Sequence, residues 1–190
     1  MTALAIVLIV LLVIVVIFVI AVIGIYNNLV KLRLRVDNAW AQIDVQLQRR
    51  LDLIPNLVET VKGYATHEGN TLKEVTEART AAMSAKTPEG KIEADNALTG
   101  TLKTLFAVSE AYPDLKANSN FQQLQRELSQ TEDKVSYMRQ SYNDTVMRYN
   151  TAIETFPGVI FAGIFHFERR DSFDAEPIAD VAPQVAFTQE

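Results

Sequence analysis

The feature that most constrains this chain is an uninterrupted apolar run at its N-terminus. From Ala3 to Ile25 there are 23 consecutive residues without a charge, nearly all of them Val, Ile, Leu or Ala. As a helix rising about 1.5 Å per residue, this run exceeds a bilayer core of about 30 Å. A cleaved signal peptide would have a basic start and a small-residue cleavage site, and the sequence has neither. The run therefore predicts a retained single-pass transmembrane anchor over residues 1–25.

Basic residues flank this run only on its C-terminal side. Lys31, Arg33 and Arg35 follow it closely, and such charges are enriched on the cytoplasmic side of membranes. The charge pattern therefore predicts that the body lies in the cytoplasm. Three charges can be overridden, so a body on the periplasmic or extracellular face is the alternative.

Charge and cysteine content narrow the classes of function. The formal net charge is −5, and the chain beyond residue 170 carries only acidic charges. Without a basic surplus the protein lacks the electrostatic footprint of nucleic-acid binding. The absence of cysteine excludes disulfides, thiol nucleophiles and thiolate metal sites. Residues 169–190, acidic and interrupted by prolines, are predicted to form a disordered tail.

The residues that follow the anchor show the periodicity of helices. Apolar or small residues recur every three or four positions over residues 29–65 with no break after the anchor, which predicts one long rod bent near Pro55. A second helix is predicted over about residues 71–85. A third begins at the Thr87 cap and runs to about residue 111. Residues 112–118 are predicted to be a loop because they are rich in turn formers.

The fourth helix has the clearest amphipathic pattern. Ser119 and Gln122 form a capping-box pattern at its start, and Phe156-Pro157-Gly158 predicts its end. Its seam alternates at steps of three and four, as in a coiled coil, through Phe121, Leu124, Leu128, Thr131, Val135, Met138, Tyr142, Thr145 and Tyr149.

These helices must bury their apolar stripes against one another. The predicted fold class is therefore all-α, with an N-terminal transmembrane helix continuing into a long-helix, antiparallel, four-helix-type bundle over residues 26–168. Residues 156–167 are apolar again but too short to span a bilayer. Packing against the bundle is the favoured interpretation for this segment. The membrane interface and a neighbouring subunit are the alternatives.

Several polar and aromatic side chains are candidates for interaction or structural roles. Trp40 is predicted to pack in the core, with a partner-binding role as the alternative. A polar cluster around the Pro55 bend is predicted to hold the loop after the third helix by hydrogen bonds, with a ligand site as the alternative. The cluster comprises Arg49, Arg50, Asp52 and Asn56, and the loop residues are Tyr112, Pro113 and Asp114.

Two Tyr–Asn pairs repeat at a spacing of seven residues. The pairs are Tyr142-Asn143 and Tyr149-Asn150, which places both tyrosines on the seam of the fourth helix. Polar seam residues of this kind fix helix register. A small-ligand pocket between helices is the alternative.

No motif for catalysis or metal binding is found. The only histidines are His67 and His166, and neither lies in the pattern of a zinc hydrolase or a di-iron bundle. Nucleophile elbows, P-loops and dinucleotide fingerprints are also missing. The sequence therefore predicts a protein that is not an enzyme and uses no cofactor or metal.

Several blocks of the chain resemble the LemA family. They are YNNLV at 26–30, AWAQIDVQL at 39–47, DLIPNLV at 52–58, YPDLKAN at 112–118, YN at 142–143 and 149–150, and Phe156-Pro157. The resemblance implies a bacterial protein with an N-terminal anchor in the inner membrane, a long-helix bundle and no established enzymatic activity. Proteins of this family are associated with membrane and envelope functions. The chain departs from the family pattern at residues 163–167, where His166 replaces the glycine of a Phe-Gly-Phe-like turn.

The predicted function is that of a membrane-anchored, non-catalytic scaffold or adaptor. Its expected partners are the lipid bilayer, copies of itself in a homo-oligomer, and another membrane or envelope protein. The alternative is a ligand-sensing or signal-relaying helical module, in which an effector binds near Tyr142 and Asn143.

Overall fold

The computed structural model describes residues 2–65 and 67–173, which form only helices and connecting segments. The predicted all-α class is confirmed. In chain order the helices are α1 (Thr2–Lys62), α2 (Gly69–Ser84), α3 (Pro88–Ser109), α4 (Pro113–Ala117), α5 (Ser119–Glu154) and α6 (Gly158–Phe165).

Helix α1 contains both the apolar run and the first helix of the body. It extends over 61 residues without interruption, and among the described residues it is the one helix long and apolar enough to cross a membrane. Its apolar side chains over residues 3–21 are exposed, as expected where lipid rather than protein is the neighbour. The chain is therefore compatible with a single-pass membrane protein.

Pro55 lies inside α1 without ending it. Because proline has no N–H, the carbonyl of Leu51 one turn earlier loses its usual helical partner. In this structure the side-chain Nε of Arg79 on α2 donates to that carbonyl at 3.0 Å. The proline therefore frees a carbonyl that joins α1 to α2, a tertiary contact that no local sequence pattern indicates.

The helix ends follow the predicted capping chemistry with one shift. The Thr87 side chain accepts from the Gly90 N–H at 3.1 Å, which confirms the cap of α3. The predicted Ser119 cap of α5 is wrong by one residue, because the Asn118 side chain accepts from the Phe121 N–H at 3.0 Å. The predicted loop 112–118 was also incomplete, since Pro113 opens the single-turn helix α4.

The core is divided into two apolar clusters along the bundle axis. The distal cluster, further from the apolar run, contains residues of α1, α2, α3, α4 and α5, from Leu51 to Leu128. The proximal cluster, nearer to the apolar run, is built from α1 and α5 with only Ile92 of α3. Since α2 contributes no residue to the proximal cluster and α3 contributes one, other residues must cover α1 and α5 there. Ala162 of α6, Phe167 and Phe173 fill that position.

The chain beyond α6 returns along α5 toward the distal end. Residues 168–173 hydrogen-bond to α5, and Phe173 is buried. For residues 169–173 the predicted disorder is therefore wrong, because composition does not reveal that α5 offers partners for their backbone. The remainder of the predicted tail, residues 174–190, lies outside the described residues.

His166 ends α6 in the left-handed region, with φ 55° and ψ 47°. The N–H of the next residue, Phe167, donates to the Ala162 carbonyl at 3.0 Å and closes the helix end. Glycine favours this conformation most and histidine adopts it at some cost. The residue at which the sequence departs from a Phe-Gly-Phe-like pattern therefore forms the turn that ends α6.

Candidate functional site

The two Tyr–Asn pairs of α5 bind the backbone of residues 168–173. The Asn143 amide donates to the Phe173 carbonyl and accepts from the Phe173 N–H, both at 2.8 Å. The Asn150 amide makes the same two contacts with Arg170, at 2.7 and 3.0 Å. We call Tyr142, Asn143, Tyr149 and Asn150 the Tyr–Asn clamp.

The spacing of the clamp matches an extended segment. Seven residues of helix advance about 10 Å, and three residues of extended chain advance about the same distance. The tyrosines keep this register, since the Tyr142 hydroxyl donates to the Asp171 carbonyl at 3.2 Å and the Tyr149 hydroxyl to the Glu168 carbonyl at 2.8 Å. The clamp therefore forms hydrogen bonds with main-chain groups of a segment that runs antiparallel to α5.

Aromatic packing adds side-chain contacts at one end of the clamp. The Phe173 ring stacks on Tyr142 with centroids 4.6 Å apart and lies 5.7 Å from the Trp40 ring. Trp40 is half-buried within the proximal cluster. The Tyr–Asn clamp, whose residues could alternatively line a small-ligand pocket, thus contacts residues 168–173 of the same chain.

The clamp tyrosines act as neutral hydrogen-bond donors. Burial raises the pKa of both Tyr142 and Tyr149, because the phenolate is disfavoured away from water. Both hydroxyls therefore remain protonated near neutral pH and available to donate to backbone carbonyls.

Removing one clamp amide should loosen the C-terminal segment. We expect Asn150→Ala in the full chain to lower the free energy of unfolding by about 2 kcal/mol, because two backbone groups of Arg170 lose their partner. Urea unfolding in mild detergent, followed by circular dichroism, measures this loss. The exposed Asn120→Ala is the control and should change stability little. Equal stability of the two variants would show that the clamp contacts contribute nothing.

The predicted polar cluster around Pro55 does not form. Arg49, Asp52, Pro55 and Asn56 are exposed, because they lie on the side of α1 that faces away from the body. Arg50 alone turns inward and is 1% exposed. Arg50 takes part in a hydrogen-bond network, but its partners are Asp95 and Glu132 rather than the predicted residues.

Arg50 ties three helices together at the boundary between the two apolar clusters. Its guanidinium lies 2.8 Å from the Asp95 carboxylate of α3 and 3.3 Å from the Glu132 carboxylate of α5. Nearby, Arg139 of α5 donates to the Asn96 side chain of α3 at 3.3 Å. The sequence contains one signal for this network, a charged residue on an apolar stripe. Arg50 lies three residues after Leu47 and four before Ile54, on the same side of the helix.

The predicted partners of the cluster are held elsewhere. The Tyr112 hydroxyl donates to the Glu68 carboxylate at 2.9 Å, and this hydrogen bond raises the pKa of Tyr112. Pro113 and Asp114 are exposed in the first turn of α4. The α4 region is therefore anchored to the turn between α1 and α2 rather than to the Pro55 region.

The residues around α6 lie beside the point where α1 leaves the apolar run. Phe165 and Phe167 have ring centroids 4.9 and 5.8 Å from that of Tyr26, and the Arg33 guanidinium lies 5.2 Å above the Phe167 ring. Phe156 is 80% exposed and is joined to Pro157 by a cis peptide bond. This region is the most apolar exposed surface outside α1 among the described residues.

Among the described residues, no group of three or more His, Asp or Glu side chains is placed to hold a metal ion. His67 and His166 are both exposed and lie in separate parts of the fold. The Tyr–Asn clamp and the Arg50 network are structural hydrogen bonds, and the region around α6 is a contact surface.

Comparison with known proteins agrees with the resemblance drawn from the sequence motifs. "Magnetosome protein MamQ 2" of Paramagnetospirillum magneticum is 24% identical, covering 84% of this chain and 70% of that protein. "Protein LemA" of Metamycoplasma hominis is 28% identical, covering 70% of this chain and 61% of that protein. "Magnetosome protein MamQ" of Magnetospirillum gryphiswaldense is 25% identical, with 84% and 70% covered.

None of these names denotes an enzymatic activity. The model of the LemA family matches residues 39–187, which is most of the chain. The matched range includes the Arg50 network, the Tyr–Asn clamp and α6. The chain therefore belongs to the LemA family.

Proposed function

We propose that this protein is a membrane-anchored, non-catalytic scaffold that self-associates through the outer face of α1. The outer face comprises exposed, uncharged residues on the side of the helix opposite the body: Ile23, Asn27, Leu34, Asn38, Ala41 and Val45.

The observation that carries the proposal is the continuity of this face from the apolar run into the body. Its members follow one another at helical spacing, and Leu34 and Val45 are 51% and 63% exposed three turns apart. A membrane-tethered helix normally places charged residues on a water-facing side. An uncharged face with apolar positions fits instead against a parallel helix of a second copy anchored in the same bilayer.

The uninterrupted α1 supports a scaffolding role. A single helix transmits the tilt and rotation of the membrane segment directly to the bundle, and a flexible linker would not. Copies that associate through α1 would therefore hold their bundles at a fixed height and orientation. The ligand-sensing alternative has less support, because the groups proposed for its effector contact the chain's own segment.

Disulfide crosslinking tests self-association directly, since the chain contains no cysteine. We expect full-length Leu34→Cys and Val45→Cys to form disulfide-linked dimers in membranes under mild oxidation. Tyr137→Cys on α5 is the control, because it is 74% exposed but lies away from the outer face. Dimer yields no higher than the control, together with a monomer at high concentration in mild detergent, would refute self-association. Crosslinking to a different envelope protein would replace it with an adaptor function.

We further propose that the body lies in the cytoplasm of a bacterial inner membrane. Lys31, Arg33 and Arg35, just beyond the apolar run, support this orientation. A cysteine at the exposed Ser84 should be protected from a membrane-impermeant maleimide until the cells are lysed. Labelling before lysis would reverse the orientation and direct the search for partners to the envelope.

A further inference from the structure

We infer that α6 is a second membrane contact, a short helix lying in the interfacial region of the same bilayer that α1 spans. The proposed occupant of its exposed face is lipid, at the boundary between headgroups and acyl chains. This inference is independent of self-association through the outer face of α1.

The exposed surface of α6 and the turn before it is almost wholly apolar. Its large members are exposed by 42% to 80%. No Asp, Glu, Lys or Arg occurs in residues 155–167. The exposed side chains are Phe156, Val159, Ile160, Ile164 and Phe165. Contiguous apolar surface of this kind marks a membrane or protein contact.

The position of α6 along α1 identifies lipid as the contact. Tyr26 directly follows the uncharged run, and its ring meets those of Phe165 and Phe167. Ile25, inside the run, packs against the cluster that contains Ala162 of α6. The exposed face is thus continuous with the surface of the membrane span itself. Eight residues of helix cover only about 12 Å, which suits a helix lying in the interface rather than crossing it.

Charged residues are arranged as a bilayer surface requires. Going from Tyr26 into the body, the first cations are Lys31, Arg33 and Arg35, beginning about 8 Å further along the axis. Arg169 and Arg170 follow α6 on its exit toward the body, where they pair with Glu154 and Asp37 and remain partly exposed. Apolar groups therefore lie at the level of the acyl boundary and cations at the level of the headgroups, as in interfacial helices.

The Tyr–Asn clamp explains how α6 is held in place. Helix α5 leads into α6, and the clamped segment leads out of it and back along α5. Both ends of the short helix are thereby fixed to the bundle. The clamp holds the exposed apolar side chains at the height of Tyr26 without using them in the core.

Environment-sensitive labels can test this placement. We propose to attach the NBD fluorophore to a cysteine at Ile160, in the full chain reconstituted into nanodiscs of phosphatidylcholine and phosphatidylglycerol. The control carries the label at Met83 on α2, since the two side chains are 51% and 55% exposed. Lipid with a spin label high on its acyl chain serves as the quencher. Because both positions are exposed, neither substitution should disturb folding.

We expect blue-shifted emission at position 160 and quenching by the lipid spin label several-fold stronger than at position 83. Equal, water-like emission at both positions would overturn the inference. Blue-shifted emission without lipid quenching would also overturn it, because a protein surface would then cover α6. Either result leaves the crosslinking of α1 as a separate test of self-association.

Discussion

Replacing Arg50 with alanine in the full chain is expected to lower the free energy of unfolding by about 4 kcal/mol. The guanidinium is 1% exposed and contacts carboxylates on two other helices. Its loss removes a cation from beside the buried Asp95 and leaves a cavity between α1, α3 and α5. Urea unfolding in mild detergent, followed by circular dichroism, measures the change.

The adjacent Arg49→Ala is the matched control. Arg49 belongs to the same helix but is exposed, and surface substitutions usually change stability by no more than about 0.5 kcal/mol. A loss at Arg50 no larger than that at Arg49 would mean that the ionic network does not hold the three helices together.

Gly158→Ala is expected to lower the free energy of unfolding by about 3 kcal/mol, by disturbing the end of the bundle that contains the proximal cluster. A Cβ at this position would lie 1.9 Å from the carbonyl oxygen of Ala152 in the last turn of α5. That atom belongs to the helix backbone and cannot move aside as a flexible side chain could. Helix α6 would have to shift away from α5, weakening the contacts of Ala162 and Phe167 with the proximal cluster.

Gly163→Ala provides a control of opposite sign. This glycine also lies in α6, but a Cβ there would meet nothing within 4 Å, and alanine favours a helix over glycine by about 1 kcal/mol. The midpoint temperature of thermal unfolding of the full chain should therefore rise slightly for Gly163→Ala and fall clearly for Gly158→Ala. If both substitutions moved the transition in the same direction, the close approach of α5 and α6 would not be a determinant of stability.

The helices of this protein could be predicted because their signals are local. Periodic apolar residues and the Thr87 cap indicate where the longer helices α1, α2, α3 and α5 lie. The single-turn helix α4 is too short to show a periodic pattern, so its residues were predicted to be a loop. The shift of the α5 cap from Ser119 to Asn118 shows the limit of such signals, since neighbouring residues of similar capping strength compete. Only the geometry at Phe121 decides between them.

The candidate site was harder to predict because its contacts join distant residues. The Tyr–Asn repeat was visible, but its partners are backbone groups of residues 168–173, whose composition indicated disorder. Arg50 was placed in a cluster with its sequence neighbours, whereas its partners lie 45 and 82 residues away. A charged residue on an apolar stripe was the available signal, and Asp95 on the stripe of α3 is its counterpart.

A scaffolding role requires, above all, that a single rigid helix joins the membrane segment to the body. The spin-label distance between cysteines at Val15 and Arg49, both exposed on α1, tests it in nanodiscs, with unlabelled protein added to suppress distances between copies. An uninterrupted helix of 34 residues predicts a narrow distribution centred near 50 Å, from a rise of about 1.5 Å per residue. A broad distribution, or one centred at a clearly shorter distance, would show a hinge at the membrane surface and contradict the account.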